Sequence, residues 1–423
     1  MMRLVVAGLA LVLGSMSFVA AAAGQAENQP RADDGITRHG GLALGRWRAW
    51  VQSPGGQIPF IIETSAPGGV FRAVLINGSE RMEVPVAEAA DGSLAMQIDI
   101  YDALILATSR KNGTVLDGWY HKRRGPTDRT QMLFGAVHGD QPRFPALTGG
   151  TPVKMRIDGR WLVNFEDSDA PAIATFRTES DGTVSGTFET PTGDYRFLAG
   201  TFEQGRLRLS AFDGAHAFLF DASVLPGGRL AGDFWSGAHY HTGWSAERTA
   251  EDTALPDAWS MSEAPATIDF ASIRYPDTDG VLRSLDEFAG EKGTVIEIFG
   301  TWCPNCRDAT RDLIDLHDRY ARQGIGFVAL AVELTGDAAR DARLVRTYRQ
   351  RLGVPYPMLV AGERRAAKAS FPLVDKLRAF PTTLFVQEDG TVTAVHTGYS
   401  GPATGEAHTK LKAEYVEQIE ALR

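Results

Sequence analysis

Thr294-Val295-Ile296-Glu297-Ile298-Phe299-Gly300-Thr301-Trp302-Cys303-Pro304-Asn305-Cys306-Arg307 is the stretch that decides the fold of the C-terminal part of this chain. It begins as a short apolar run, the pattern of a buried strand. It ends on the only two cysteines of the sequence, three positions apart. Past Arg307, Ala309, Leu313, Leu316 and Tyr320 share one stripe and predict a helix over 308–322, stopped by Gly324. Cys303 then falls at the helix N-cap and Pro304 at the first helical position, where its missing N–H costs nothing. A helix tip offers unpaired N–H groups and positive partial charge, so a thiolate at Cys303 is favoured well below the ordinary thiol value of about 8.5. Arg307 adds positive charge. Cys306 lies one turn on, within disulfide reach. A bridge closing so short a loop gains little as a staple. The spacing instead suits exchange, in which one sulfur attacks and the other resolves the mixed disulfide.

Outward from this stretch, residues 327–332 read as a second buried strand and 337–352 as a second helix stopped by Gly353. Residues 358–360 are brief and apolar, 382–386 and 391–395 flank an Asp389-Gly390 turn, and 406–422 is a closing helix. Strand and helix alternate and a hairpin follows, which predicts an α/β domain over 266–423 with a mixed central sheet. The polar stretch 251–265, with Pro256 and Pro265, reads as a linker.

Upstream the period changes to two. Phe71-Arg72-Ala73-Val74-Leu75-Ile76 and Arg206-Leu207-Arg208-Leu209 alternate, and turn pairs such as Asn77-Gly78, Asn112-Gly113 and Asp181-Gly182 recur. Gly45-Arg46-Trp47 and Gly159-Arg160-Trp161 open two similar halves, so a duplicated all-β unit is expected, 38–150 and 151–250. The Gly-x-Trp openings resemble the first strand of lipocalin-like barrels. Such small barrels either hold one ligand or are filled by their own side chains, with the two tryptophans as core plugs. His239 and His241 face one side of a strand, but a bare pair falls short of a zinc site, and no metal is assigned.

The chain has 423 residues and a formal charge of −9, which excludes a basic nucleic-acid footprint. Arg3, an apolar core from Leu4, and Ala20 to Ala23 make residues 1–26 a signal peptide, with an uncleaved anchor as the rival reading. The mature form is expected to be exported, periplasmic for example, and not membrane-spanning. No cofactor is called for.

The Phe299 to Cys306 run, Phe380-Pro381-Thr382-Thr383, the Asp389-Gly390 hairpin and the entry segment Asp279 to Leu285 together resemble the exported TlpA/ResA-like thiol–disulfide oxidoreductases of the thioredoxin fold, over about 262–423. The resemblance implies a cis Pro381 packed against the cysteines. It also implies a substrate strand paired beside Phe380, bordered by Trp302 and Thr382, and Glu297 as the proton carrier for the resolving cysteine. Two departures stand out. Many relatives of this type carry a neutral residue where Glu297 stands, and some have an acid where Ala309 stands. The partners implied are protein thiols or disulfides and a membrane electron donor. The alternative of another class is a ligand- or partner-binding barrel protein with a redox-inert docking module.

Overall fold

Pro85 turns one strand of the first barrel into two and closes the sheet. In this computed structural model, which describes residues 35–88, 93–148 and 154–423, nine strands run antiparallel from Glu80–Val84 at one edge to Val86–Glu88 at the other. Those edges are consecutive in the chain and joined by Pro85, which has no N–H to give a ladder. Its carbonyl accepts from Gln97 N–H at 2.9 Å. Alternation puts Trp47, Ala49 and Val51 inside, while Arg48 and Trp50 face outward. The expected leader, residues 1–26, lies outside the described residues, as does the boundary expected at 150.

The second barrel repeats the plan from Gly159–Phe165 to Tyr240–Arg248, with those two strands paired and Ala172–Thr178 paired to Val184–Thr190. Its interior is filled. Phe188 stacks on Phe220 at 4.2 Å, Phe220 on Phe234 at 4.2 Å, and Trp244 meets Phe188 edge-on. Trp47 and Trp161 are both fully buried, with their indole N–H groups on Thr64 Oγ1 and the Ile157 carbonyl, so they are core plugs.

The C-terminal sheet has the order Met358–Glu363, Ile325–Glu333, Gly293–Phe299, Thr382–Gln387, Val392–Thr397. The first three strands are parallel and the last two antiparallel to their neighbours. The helices are α1 (Pro304–Tyr320), α2 (Ala338–Leu352), α3 (Arg364–Ala369) and α4 (Glu406–Ala421). The helix expected over 308–322 thus starts four residues earlier, at the N-cap assigned to Cys303, and its last residues tighten into a 3-10 turn before Gly324. The short α3 carries no apolar period and was not foreseen.

Residues 251–265 are not a free tether. Trp259 sits on a 3-10 turn capped by Asp257, packs against Phe385, His396 and Tyr415, and donates its indole N–H to Glu414 at 3.0 Å. Arg160 of the second barrel reaches the Glu251 and Thr253 carbonyls. The barrels also grip each other. Asn77 exchanges two hydrogen bonds with the backbone of Phe212, at 2.7 and 2.9 Å, and Phe212 stacks on Phe60. Residues 37–423 form one compact unit. Among the described residues no helix is long and apolar enough to cross a membrane.

Candidate active site

The strand Gly293–Phe299 delivers the chain to Gly300, where a side chain is not tolerated. A Cβ there would lie 2.3 Å from the Trp302 indole nitrogen and 2.9 Å from the Val332 carbonyl. That close approach lets Trp302 donate to Val332 O at 3.0 Å and aims the next residues at the start of α1. Cys303 is the N-cap, in extended backbone, and its Sγ accepts the Cys306 N–H at 3.2 Å. The two Cα atoms are 5.2 Å apart and the sulfurs are bridged. Cys303 retains 7% exposure and Cys306 none, so only Cys303 is reachable by a partner.

Opposite Cys303 stands the Phe380–Pro381 bond, which is cis. The Phe380 carbonyl oxygen is 3.5 Å from Cys303 Sγ, and the Phe380 ring meets Trp302 edge-on at 5.3 Å. Trp302 is half-buried and forms the open wall of the site. Thr382, expected at the substrate border, is fully buried, and its hydroxyl donates to the Ala379 carbonyl at 2.9 Å. It holds the turn around Pro381 and does not face outward, a correction to the reading from sequence.

Glu297 points into the core beneath the helix. Its carboxyl accepts from Thr310 Oγ1 at 3.0 Å, and Thr310 lies one turn along α1 from Cys306. Burial pushes the Glu297 carboxyl up to about 8, with the Thr310 and Tyr356 hydroxyls working the other way. A second buried acid, unforeseen, is Glu333. Its two oxygens take the backbone N–H of Thr301 at 2.9 Å and the Thr301 hydroxyl at 2.8 Å, fastening the segment that leads into Cys303. Burial raises it to about 7, against those two hydrogen bonds.

The barrels build the far flank of the site, which sequence reasoning missed. Asn305, inside the dithiol motif, donates Nδ2 to Asp194 of the second barrel at 3.1 Å and to the Tyr399 carbonyl at 3.2 Å. Asp194 also takes the Gly401 N–H at 2.7 Å. Arg196 is completely buried and joins three bodies: Glu80 of the first barrel, Asp213 of the second and Asp308 of α1. Arg307 pairs with the same Glu80 at 2.5 Å. A guanidinium is stable so deep only because carboxylates surround it. Glu80 and Asp308 each stand more than a hundred residues from Arg196 in the chain, and the local trace is the left-handed backbone of Arg196, φ 62°. His241, which alternation places on the same side of its strand as His239, bonds Asp233 at 2.7 Å.

A buried dithiol at a helix tip, faced by a cis proline on a five-stranded mixed sheet, defines a thioredoxin-like domain. Residues 256–411 match the family model described as Redoxin. The chain is 27% identical over 124 residues to the thiol-disulfide oxidoreductase ResA of Halalkalibacterium halodurans, covering 29% of this chain and 62% of that protein. It is 26% identical over 122 residues to ResA of Bacillus subtilis, with 29% and 62% covered. It therefore spans less than two thirds of these relatives. A thioredoxin-family thiol:disulfide interchange protein from Chlorobium tepidum aligns over 38% of this chain and 98% of its own, at 23% identity and a TM-score of 0.29.

Proposed function

We propose that the protein is an exported thiol–disulfide oxidoreductase acting on protein disulfides through Cys303 and Cys306. In the reduced form the Cys303 thiolate, favoured by the α1 tip, attacks one sulfur of a partner disulfide and expels the other as thiolate. Cys306 then gives up its proton and attacks Cys303, which restores the intramolecular bridge and frees the reduced partner. Glu297, held neutral or charged near pH 8 by its burial, exchanges that proton. Phe380 offers its backbone and Trp302 its ring to the incoming chain. A membrane electron donor regenerates the dithiol. The observation that carries the reading is the reachable Cys303 sulfur, seated on the Cys306 N–H and 3.5 Å from the Phe380 carbonyl. The filled second barrel weighs against the rival carrier reading.

The test is trapping. Cys306→Ser should hold partners covalently on Cys303, releasable by reductant and absent from the Cys303→Ser, Cys306→Ser double variant. Recovery of nothing thiol-releasable from cells expressing the protein in its own compartment counts against exchange.

A further inference from the structure

Beside the Trp302 wall of the site, positive side chains gather in excess of the carboxylates near them, with Glu363 beside Arg364 and Asp213 beside Lys122. Arg364, the first residue of α3, lies over the Trp302 ring at 5.0 Å. Lys122 and Arg124, at the end of the first-barrel strand Val115–Arg123 and just beyond it, stand close enough to Arg364 to feel its charge. Burial first, then Arg124 and Arg364, hold Lys122 down to about 8, against the pull of Asp213. Its ammonium has the Ala215 carbonyl at 2.7 Å. The strip continues through Arg129 and Arg343 along a cleft of about 730 Å3 between the first barrel and α2.

Nearby acids are already engaged. Asp102 serves Arg123 and Arg340, and Glu363 caps α3 through the N–H groups of Arg365 and Ala366. Among the described residues, Arg124, Arg129, Arg343 and Arg364 make no ion pair. Like charges held together are costly, and an anion arriving among them removes that cost. The gathering is local, since the chain as a whole is acidic. The opposite flank of the dithiol is shut, because Asn305, Tyr399 and Gly401 are buried under the second-barrel turn that carries Gly193 and Asp194. The side left open to a partner chain is that of Trp302, whose ring lies under Arg364.

We infer that the strip of Arg364, Arg124, Lys122, Arg129 and Arg343 is a docking surface for an acidic, extended segment flanking the disulfide of a protein substrate. It rests on the exchange reading and narrows its substrate class. The first barrel supplies selectivity to a dithiol carried by another domain. Arg forks suit carboxylates, and Lys122, Arg129 and Arg343 line a cleft and not a plane.

The test separates docking from chemistry. A labelled, disulfide-free peptide rich in Asp and Glu is titrated into the oxidised full-length protein, beside a twin with Lys in their place. The acidic peptide should bind at least about tenfold tighter, and its affinity should fall as salt is raised. Arg124→Glu, an exposed change that spares the core, should abolish the difference, and Arg364→Glu should do likewise. Equal affinities for the twins, a preference untouched by both reversals, or binding to anionic lipid vesicles alone would overturn the inference. Reduction of a small neutral disulfide by the reduced protein is measured separately. Its failure sinks the exchange reading, while the titration still judges the surface.

Discussion

Asn305, the second residue between the two cysteines, is bonded through Nδ2 to Asp194 of the second barrel at 3.1 Å. The redox motif is thus held by a domain that contributes no sulfur. Asp194→Ala should leave Asn305 held by the Tyr399 carbonyl alone and the Gly401 N–H without its partner. The expected result is a loss of about 1–3 kcal/mol in unfolding free energy and faster alkylation of Cys303 in the reduced protein, read by urea titration and iodoacetamide kinetics.

Arg196 should be among the least replaceable side chains outside the dithiol. Arg196→Met leaves Glu80, Asp213 and Asp308 buried without their common cation. A destabilisation of about 3–5 kcal/mol is expected in chemical unfolding. A loss under 1 kcal/mol, roughly what an exposed pair contributes, would show that the cluster is solvated in solution.

Glu297 makes stability depend on pH in a definite direction. Its folded value, about 8, lies above the ordinary 4.5, so between those values the folded state holds a proton that the unfolded state has released. Stability therefore falls as pH rises through that window, by roughly 3–5 kcal/mol once both states are ionised. Glu297→Gln should remove this slope, so the variant gains on the parent from pH 5 to pH 9 in urea midpoints. The same variant should resolve the mixed disulfide more slowly, with the inflection near pH 8 gone.

In the reduced protein, Cys303 should ionise below the ordinary thiol range and Cys306 should resist alkylation. The helix tip and the Cys306 N–H stabilise only the first sulfur, and the second is fully buried. Alkylation rates between pH 4 and 10, with the modified cysteine identified by mass, check both halves.

Trp259 tests whether 251–265 is structure. Trp259→Ala removes a ring packed on Phe385, His396 and Tyr415 and a hydrogen bond to Glu414. A flexible linker would tolerate it; the docked turn should lose about 2–4 kcal/mol.

The sequence was most legible where the signal is local. The cap at Cys303 with Pro304 behind it, the strand around Glu297, the stops at Gly324 and Gly353 and the alternation in the barrels all follow from neighbours within one or two turns, because helix capping and side-chain period act over that range. Thr382 was expected at the substrate border from a resemblance in sequence, which does not say that its hydroxyl turns inward to the Ala379 carbonyl. The linker was misread because its polar text hides one decisive indole. The thioredoxin-like domain and its disulfide pair were thus set by local chemistry that a bare sequence displays. The tertiary structure alone decided that Asp194, Arg196 and Glu80 close one side of the dithiol while Arg124 and Arg364 border the other. Buried charges find their counterions across space, and nothing in the order of residues along a chain records which distant carboxylate a guanidinium will meet.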